Sequence, residues 1–250
     1  MTESQFRLAN PPIIEAVVDF TCDMPPDLDL VRLQDRSEEL LRNEYPKTRR
    51  QVVQHHEIRA DAEAPPSVEF RQNIGALLFL TEDEKQVVQM RAEGYSFNRL
   101  APYQGLDEYL PEIERTWKIF QDLTKPVQVR KVGLRFINRI LLPTVEGGVN
   151  LGGFVRVSPR LPDPGLELIG FVNQHSGREK ATDHRVNITL LSQPLEVDRL
   201  PIILDIDTFD LRHQIPDDWQ GILETIQSLR RLKNRVFERT LTEECLSLFQ

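Results

Sequence analysis

The sequence predicts an α+β fold: antiparallel sheets packed against helices, with a long C-terminal helix lying across a sheet. Three observations predict it. Val-, Ile- and Phe-rich runs bounded by turn residues recur along the chain, as strands do. Three longer stretches instead repeat apolar residues at helical spacing. Between Arg50 and Leu100 several short β-rich runs follow one another directly, the pattern of an antiparallel meander.

Taken in order, Ile13–Thr21 opens after Pro11 and Pro12 as a strand with Ile14, Ala16, Val18 and Phe20 on one face and Glu15 and Asp19 on the other. Asp27–Tyr45 reads as a helix with Leu28, Val31, Leu40 and Leu41 inward, closed by Pro46. The meander runs are Val52–Ala60, Val68–Gln72, Ala76–Leu80, Gln86–Arg91 and Tyr95–Leu100. Leu106–Leu123 is amphipathic through Leu106, Tyr109, Leu110, Ile113, Trp117, Phe120 and Leu123, and ends before Pro126.

The order then restarts. Val127–Leu142 is a strand closed by Pro143, Phe154–Val157 a short helical segment, and Leu166–Gln174, His184–Leu191 and Leu200–Phe209 are strands. A long helix from Pro216 to Thr240 carries an apolar stripe through Trp219, Ile222, Leu223, Ile226, Leu229, Val236 and Phe237, with Asp217 and Asp218 at its start and five basic residues toward its end, where each suits the dipole. Thr242 caps a last turn from Cys245 to Phe249. Laying Pro25 over Pro143 sets Ile14, Ala16, Val18 and Phe20 over Val132, Leu134, Phe136 and Asn138. The expectation is one compact unit, residues 1–250, with pseudo-repeats of a β-α-β-meander-α unit at 11–125 and 127–250.

With 31 basic and 39 acidic side chains, a net charge of −8 and a pI near 5.3, the chain is expected neither to bind nucleic acid nor to coat an anionic membrane. No run of about 18 apolar residues and no basic-then-apolar leader is present, so a soluble, cytoplasmic protein is expected. Cys22 and Cys245 lack CxxC partners and read as small core residues.

The candidate site lies in the run Gln128–Leu142, where Arg135, Asn138 and Arg139 interrupt an apolar strand. An unpaired guanidinium costs several kcal/mol to desolvate, so these residues must meet carboxylates or line a wet cleft. Glu15 and Asp19 share one strand face, and Asp205 and Asp207 share another. The preferred reading pairs Arg135 and Arg139 with these acids to fix strand register. The functional alternative makes Arg135, Asn138, Arg139, Glu15, Asp19, Asp205 and Asp207 a polar cleft for an anionic small molecule or acidic peptide. A third uses Asp205, Asp207 and Asp210 as a weak hard-cation site.

Other motifs favour bland readings. Adjacent His55 and His56 point to opposite faces of a strand and cannot chelate together. His175 and His184 flank what reads as a flexible hairpin, Ser176–Lys180. No serine sits in a G-x-S-x-G elbow, and the glycines at 147, 148, 152 and 153 lack phosphate-cradle spacing. The basic run Arg230–Arg239 reads as a solvated helix face. No cofactor and no catalytic residue is therefore assigned.

Asn10-Pro11-Pro12-Ile13-Ile14-Glu15-Ala16-Val17, together with Gly133-Leu134-Arg135-Phe136-Ile137-Asn138-Arg139-Ile140 and Leu204-Asp205-Ile206-Asp207, resembles a sporadically distributed family of uncharacterised prokaryotic proteins of about this length. Phe136 stands where that family's strand usually has Tyr, which removes a hydroxyl. The resemblance implies no settled activity or cofactor. The family's patchy distribution implies accessory systems of the defence or toxin-antitoxin kind.

From these observations a non-enzymatic binding protein is expected, with a protein partner engaged at the arginine cleft, the outer sheet face or an exposed strand edge. The alternative is a small-molecule binder or hydrolase using a cavity between sheet and helix, with Glu15, Asp19, Asp205 and Asp207 as acid/base groups. Pairing of those carboxylates with arginines would argue against the second.

Overall fold

In the computed structural model the structure describes residues 8–61, 64–144, 148–157, 159, 161–163, 165–211 and 218–250, with side chains outside 54–72. The elements are β1 (Ile13–Asp23), α1 (Leu30–Leu41), β2 (Lys47–Asp61), β3 (Ala64–Leu80), β4 (Gln86–Arg91), β5 (Gly94–Leu100), α2 (Leu106–Thr124), β6 (Gln128–Pro143), α3 (Leu151–Phe154), β7 (Val172–Arg178), β8 (Arg185–Ser192), β9 (Arg199–Asp210), α4 (Trp219–Thr240) and α5 (Glu243–Ser247). The fold is α+β. Among the described residues the strands form one antiparallel sheet in the order β2-β3-β4-β5-β1-β6-β9-β8-β7. Strand, helix, meander and helix follow one another in 11–125 and again in 127–250, and each meander ends beside the strand that began the run: β5 next to β1, β9 next to β6.

Packing resolves two units with interleaved segments. One takes the chain up to Asp19, Arg99–Gln104 and Arg130–Gln250; the other takes Phe20–Asn98 and Gly105–Val129. In the latter, α2 buries Tyr109, Ile113, Trp117 and Phe120 because they recur every three or four residues. Trp117 meets Phe20 edge-on at 4.8 Å and stacks on Phe120 at 5.4 Å, which sets an aromatic core. α1 starts three residues later than expected, at an Asp29 cap whose carboxylate accepts from the Val31 N–H, and it turns Leu30, Ser37 and Leu41 inward. Val31 and Leu40, expected inside, are exposed. The runs Val68–Gln72 and Ala76–Leu80 are a single strand, β3.

In the first unit, Ile140, Leu142, Val186, Leu190, Ile202, Leu204 and Ile206 present one sheet face to Leu232, Phe237, Leu241, Cys245 and Phe249. Each such side chain contributes roughly 1.5–3 kcal/mol when fully buried. Burial pushes the Cys245 thiol up to about 12, so it is an inert packing residue. Asp218 caps α4 by accepting from the Gly221 N–H at 2.9 Å; its neighbour Asp217 and the expected start at Pro216 lie outside the described residues. The expected helix at Phe154–Val157 is instead α3, one turn earlier, and Val155 is held in a bridge to Leu241. β7 begins at Val172 rather than Leu166 and includes Ser176–Arg178, which were expected to form a loop.

Candidate functional site

The period of two along β6 sorts the predicted site into two sets. Val132, Leu134, Phe136, Asn138, Ile140 and Leu142 face the core, whereas Lys131, Arg135, Ile137 and Arg139 face the other way. Asn138 is therefore parted from the two arginines. It is 1% exposed, and its amide donates to the Leu204 carbonyl at 2.9 Å and to that of Phe136 at 3.3 Å. Its work is to lock β6 to β9 from inside the core, and it has no place in a cleft with Arg135 and Arg139.

On the open face the register sets Arg135 directly opposite Asp207, and Ile137 opposite Asp205. Arg135 nonetheless reaches the diagonal Asp205, with Nε 2.9 Å from Oδ1 and Nη2 2.6 Å from Oδ2. This hydrogen bond raises the guanidinium above its already high ordinary value. Arg139 donates to the Gln193 Oε1 at 3.1 Å and to the Glu196 carboxylate. Lys131 stands 3.5 Å from Asp19 and 5.0 Å over the ring of Phe209. Glu15 adds its field to Arg135 from β1. Asp207 sits among Lys131 and Arg135, which favour its ionised form, but burial outweighs them and raises its carboxyl above the ordinary range.

The predicted acids and bases thus meet, but as a lattice in which cations and carboxylates answer one another. Arg135, Arg139 and Lys131 each hold an acidic partner, so among the described residues these three leave no uncompensated cation for an anion. The same parity defeats the Asp205, Asp207 and Asp210 cation site: Asp210 is 2% exposed on the core face, opposite the other two. Among the described residues no three His, Cys, Asp or Glu side chains could hold a metal ion.

Two features were illegible before folding. At the other end of β9, buried His184 places Nε2 2.9 Å from the Ser228 Oγ and Nδ1 3.8 Å from Asp210 Oδ2. Ser-His-Asp order suggests an activated nucleophile. Three facts assign it to architecture. Ser228 is mid-helix, where its own N–H serves the helix and cannot form an oxyanion hole; His184 is 3% exposed; and Nδ1 to Oδ2 exceeds hydrogen-bond length. Glu179, taken up by Arg235 and the Thr182 hydroxyl, ties the same hairpin to α4. The Ser176–Lys180 region is therefore docked rather than loose.

The second feature is at the end of the sheet, where, among the described residues, β7 pairs with β8 on one side and forms the edge on the other. Beside it opens a cavity of about 160 Å³ lined by Val157, Asn173, His175, Ile188, Leu190 and Thr240. Asn173 and His175 are alternate residues of β7, so one face of the edge strand forms the cavity wall. Leu166, Ile169 and Val172, respectively 58%, 95% and 73% exposed, lead into that edge. The strand itself is exposed at every residue but Asn173.

No protein-family model and no curated protein matches this chain, so the site rests on its own geometry.

Proposed function

We propose that the protein is a non-enzymatic binding protein that takes an extended segment of a partner protein along the outer edge of β7, with one apolar side chain of that segment in the adjoining cavity. The observation that carries this reading is the juxtaposition of an exposed edge strand with an apolar cavity that the strand's own residues line. Strand addition draws affinity from backbone hydrogen bonds and specificity from pockets under alternate side chains. Ser192 N–H donates to the Phe171 carbonyl, so the antiparallel alternation turns the peptide groups of Asn173 and His175 toward β8 and those of Gln174 and Ser176 outward. An added strand lies about 4.8 Å away, with side chains on the cavity face above Asn173 and His175. In an accessory system of the defence or toxin-antitoxin kind, the partner would be a protein encoded alongside.

The charge lattice supports a binding rather than a hydrolytic role. Asp19 and Asp205 are held by Lys131 and Arg135, and a carboxylate so held is a poor general base.

The test is selection of short peptides from a displayed random library, followed by titration against wild type and Gln174→Pro. Proline removes an outward N–H that β8 does not use, so melting should be unchanged while peptide affinity falls at least tenfold. Selected peptides that bind the proline variant equally well would overturn strand addition. A melting shift with small apolar compounds and no peptide selection would favour a small-molecule cavity instead.

A further inference from the structure

At the end of the sheet where β7 begins, aliphatic side chains are held out in solvent. The connection from β8 to β9 closes in the tight turn Val197-Asp198: the Glu196 N–H donates to the Arg199 carbonyl at 2.9 Å, the Arg199 N–H donates back to that of Glu196 at 3.0 Å, and Asp198 takes a φ of +55°. Arg139 of β6 grips the same connection by donating to the Gln193 side chain and the Glu196 carboxylate, and the Thr144 N–H reaches the Asp198 carbonyl at 3.2 Å. So pinned, the connection keeps Leu195 60% and Val197 91% exposed. Phe171, just before β7, accepts from the Ser192 N–H at 3.1 Å and donates to the Ser192 Oγ at 3.0 Å. Ile169 and Leu195 therefore each follow within three residues of one hydrogen-bonded pair, and with Leu166 and Val197 they make an aliphatic rim at the Val172 end of the open edge. Clusters of exposed aliphatic residues mark interaction surfaces.

We propose that this rim is the second half of the β7 peptide site: the partner segment runs on past Val172 and lays a further apolar side chain against Ile169 and Leu195. The inference rests on the strand-addition reading. Continuity with that edge decides the occupant, because a strand advances about 3.3 Å per residue and three residues beyond Val172 carry an added strand about 10 Å along, level with Ile169. The acidic Glu167 and Asp198, both exposed among the aliphatic residues, repel an anionic lipid surface. The partner is thus an extended peptide with two apolar anchors roughly four to six residues apart, the separation of Ile169 from the cavity residues His175 and Asn173. Backbone hydrogen bonds along β7 supply affinity without regard to sequence, and the pair of anchors supplies the selectivity. Arg139 acts as a positioning residue, since it holds the turn that presents Leu195.

The test uses the intact protein and random peptides of about sixteen residues, long enough to cover edge and rim together. Peptides selected on wild type are titrated against wild type, Ile169→Asp, Leu195→Asp and Gln174→Pro, and each is then shortened from the end beyond its cavity anchor. Both aspartates replace side chains that already stand in solvent, so melting should not change. Affinity for the full peptides should fall at least tenfold on either aspartate, and the shortened peptides should bind the aspartate variants and wild type alike. Peptides weakened by Gln174→Pro but indifferent to both aspartates would overturn the rim and leave strand addition standing. Peptides indifferent to Gln174→Pro, or a selection that yields none, would overturn strand addition and this inference with it. Self-association of wild type that either aspartate abolishes would also overturn it, by making a second copy of the chain the occupant of the rim.

Discussion

Arg135 passes over Asp207, its direct register partner, and grips Asp205 one step along the diagonal. The choice follows from reach: directly opposite side chains stand side by side, while a long guanidinium meets a diagonal carboxylate end-on and bidentate. The bridge spans β6 and β9 and so fixes their register from the open face, as Asn138 does from the core.

Arg135→Ala should leave Asp205, whose side chain is 17% exposed, without its fork. Because the arginine itself is 48% exposed, the loss should be about 1–2 kcal/mol in chemical denaturation, below the 3–5 kcal/mol of a fully buried pair. Arg135→Lys should recover only part of it, since an ammonium cannot bond both oxygens in plane. A loss above 3 kcal/mol would show that the pair is more deeply desolvated than this geometry allows.

Asp207 has a folded-state pKa above its ordinary value of 3.8, through burial. Between 3.8 and that raised value the folded protein binds more protons than the unfolded chain, so this group's contribution is full below 3.8 and is lost as pH rises through the folded value. Asp207→Asn should therefore melt higher than wild type at pH 7, and the two should converge below about pH 4. An asparagine variant that melts lower at neutral pH would mean that Lys131 and Arg135 outweigh desolvation.

For Lys233 the sign is reversed. Its amine is lowered from 10.5 to about 7, so between these values the unfolded chain binds more protons and stability should rise with pH. Lys233→Met should flatten that slope and add roughly 1–3 kcal/mol at pH 7 by replacing a desolvated charge with an apolar chain. Parallel stability curves for the two proteins from pH 7 to 10 would contradict the shift.

Gly94 follows the two-residue turn Ala92-Glu93 between β4 and β5, with φ at +150°. A Cβ there would sit 2.0 Å from the Phe20 carbonyl oxygen, which is backbone and cannot move aside. Gly94→Ala should cost at least about 3 kcal/mol, by strain and by the forced parting of β5 from β1. A stable alanine variant would mean that this turn can adopt another path.

The sequence by itself determined the α+β class, β4 to the residue, the span of α2 within one residue, and the division of β1 and β9 into apolar and acidic faces. It could do so because periods of two and 3.6 are local properties that each segment carries alone. It also brought Arg135, Asp205 and Asp207 to one face. What it misjudged depended on neighbours. Asn138 looked like a site residue beside Arg139, although parity alone places it with Phe136 and Ile140; only the Leu204 carbonyl across β6 and β9 shows why a polar group belongs there. Lys233 was grouped with the solvated basic run, yet it continues the inward stripe of Ile226, Leu229 and Phe237, a spacing legible in advance but overruled by charge. Val31 and Leu40 are expected inward because they are apolar, whereas the Asp29 cap sets the phase of α1 so that Leu30, Ser37 and Leu41 turn inward. The hairpin's docking through His184 and Glu179, the cavity under Asn173 and His175, and the edge position of β7 came from tertiary structure alone. Each joins residues tens of positions apart in the chain, and strand order is a property of the assembled sheet that no single segment encodes.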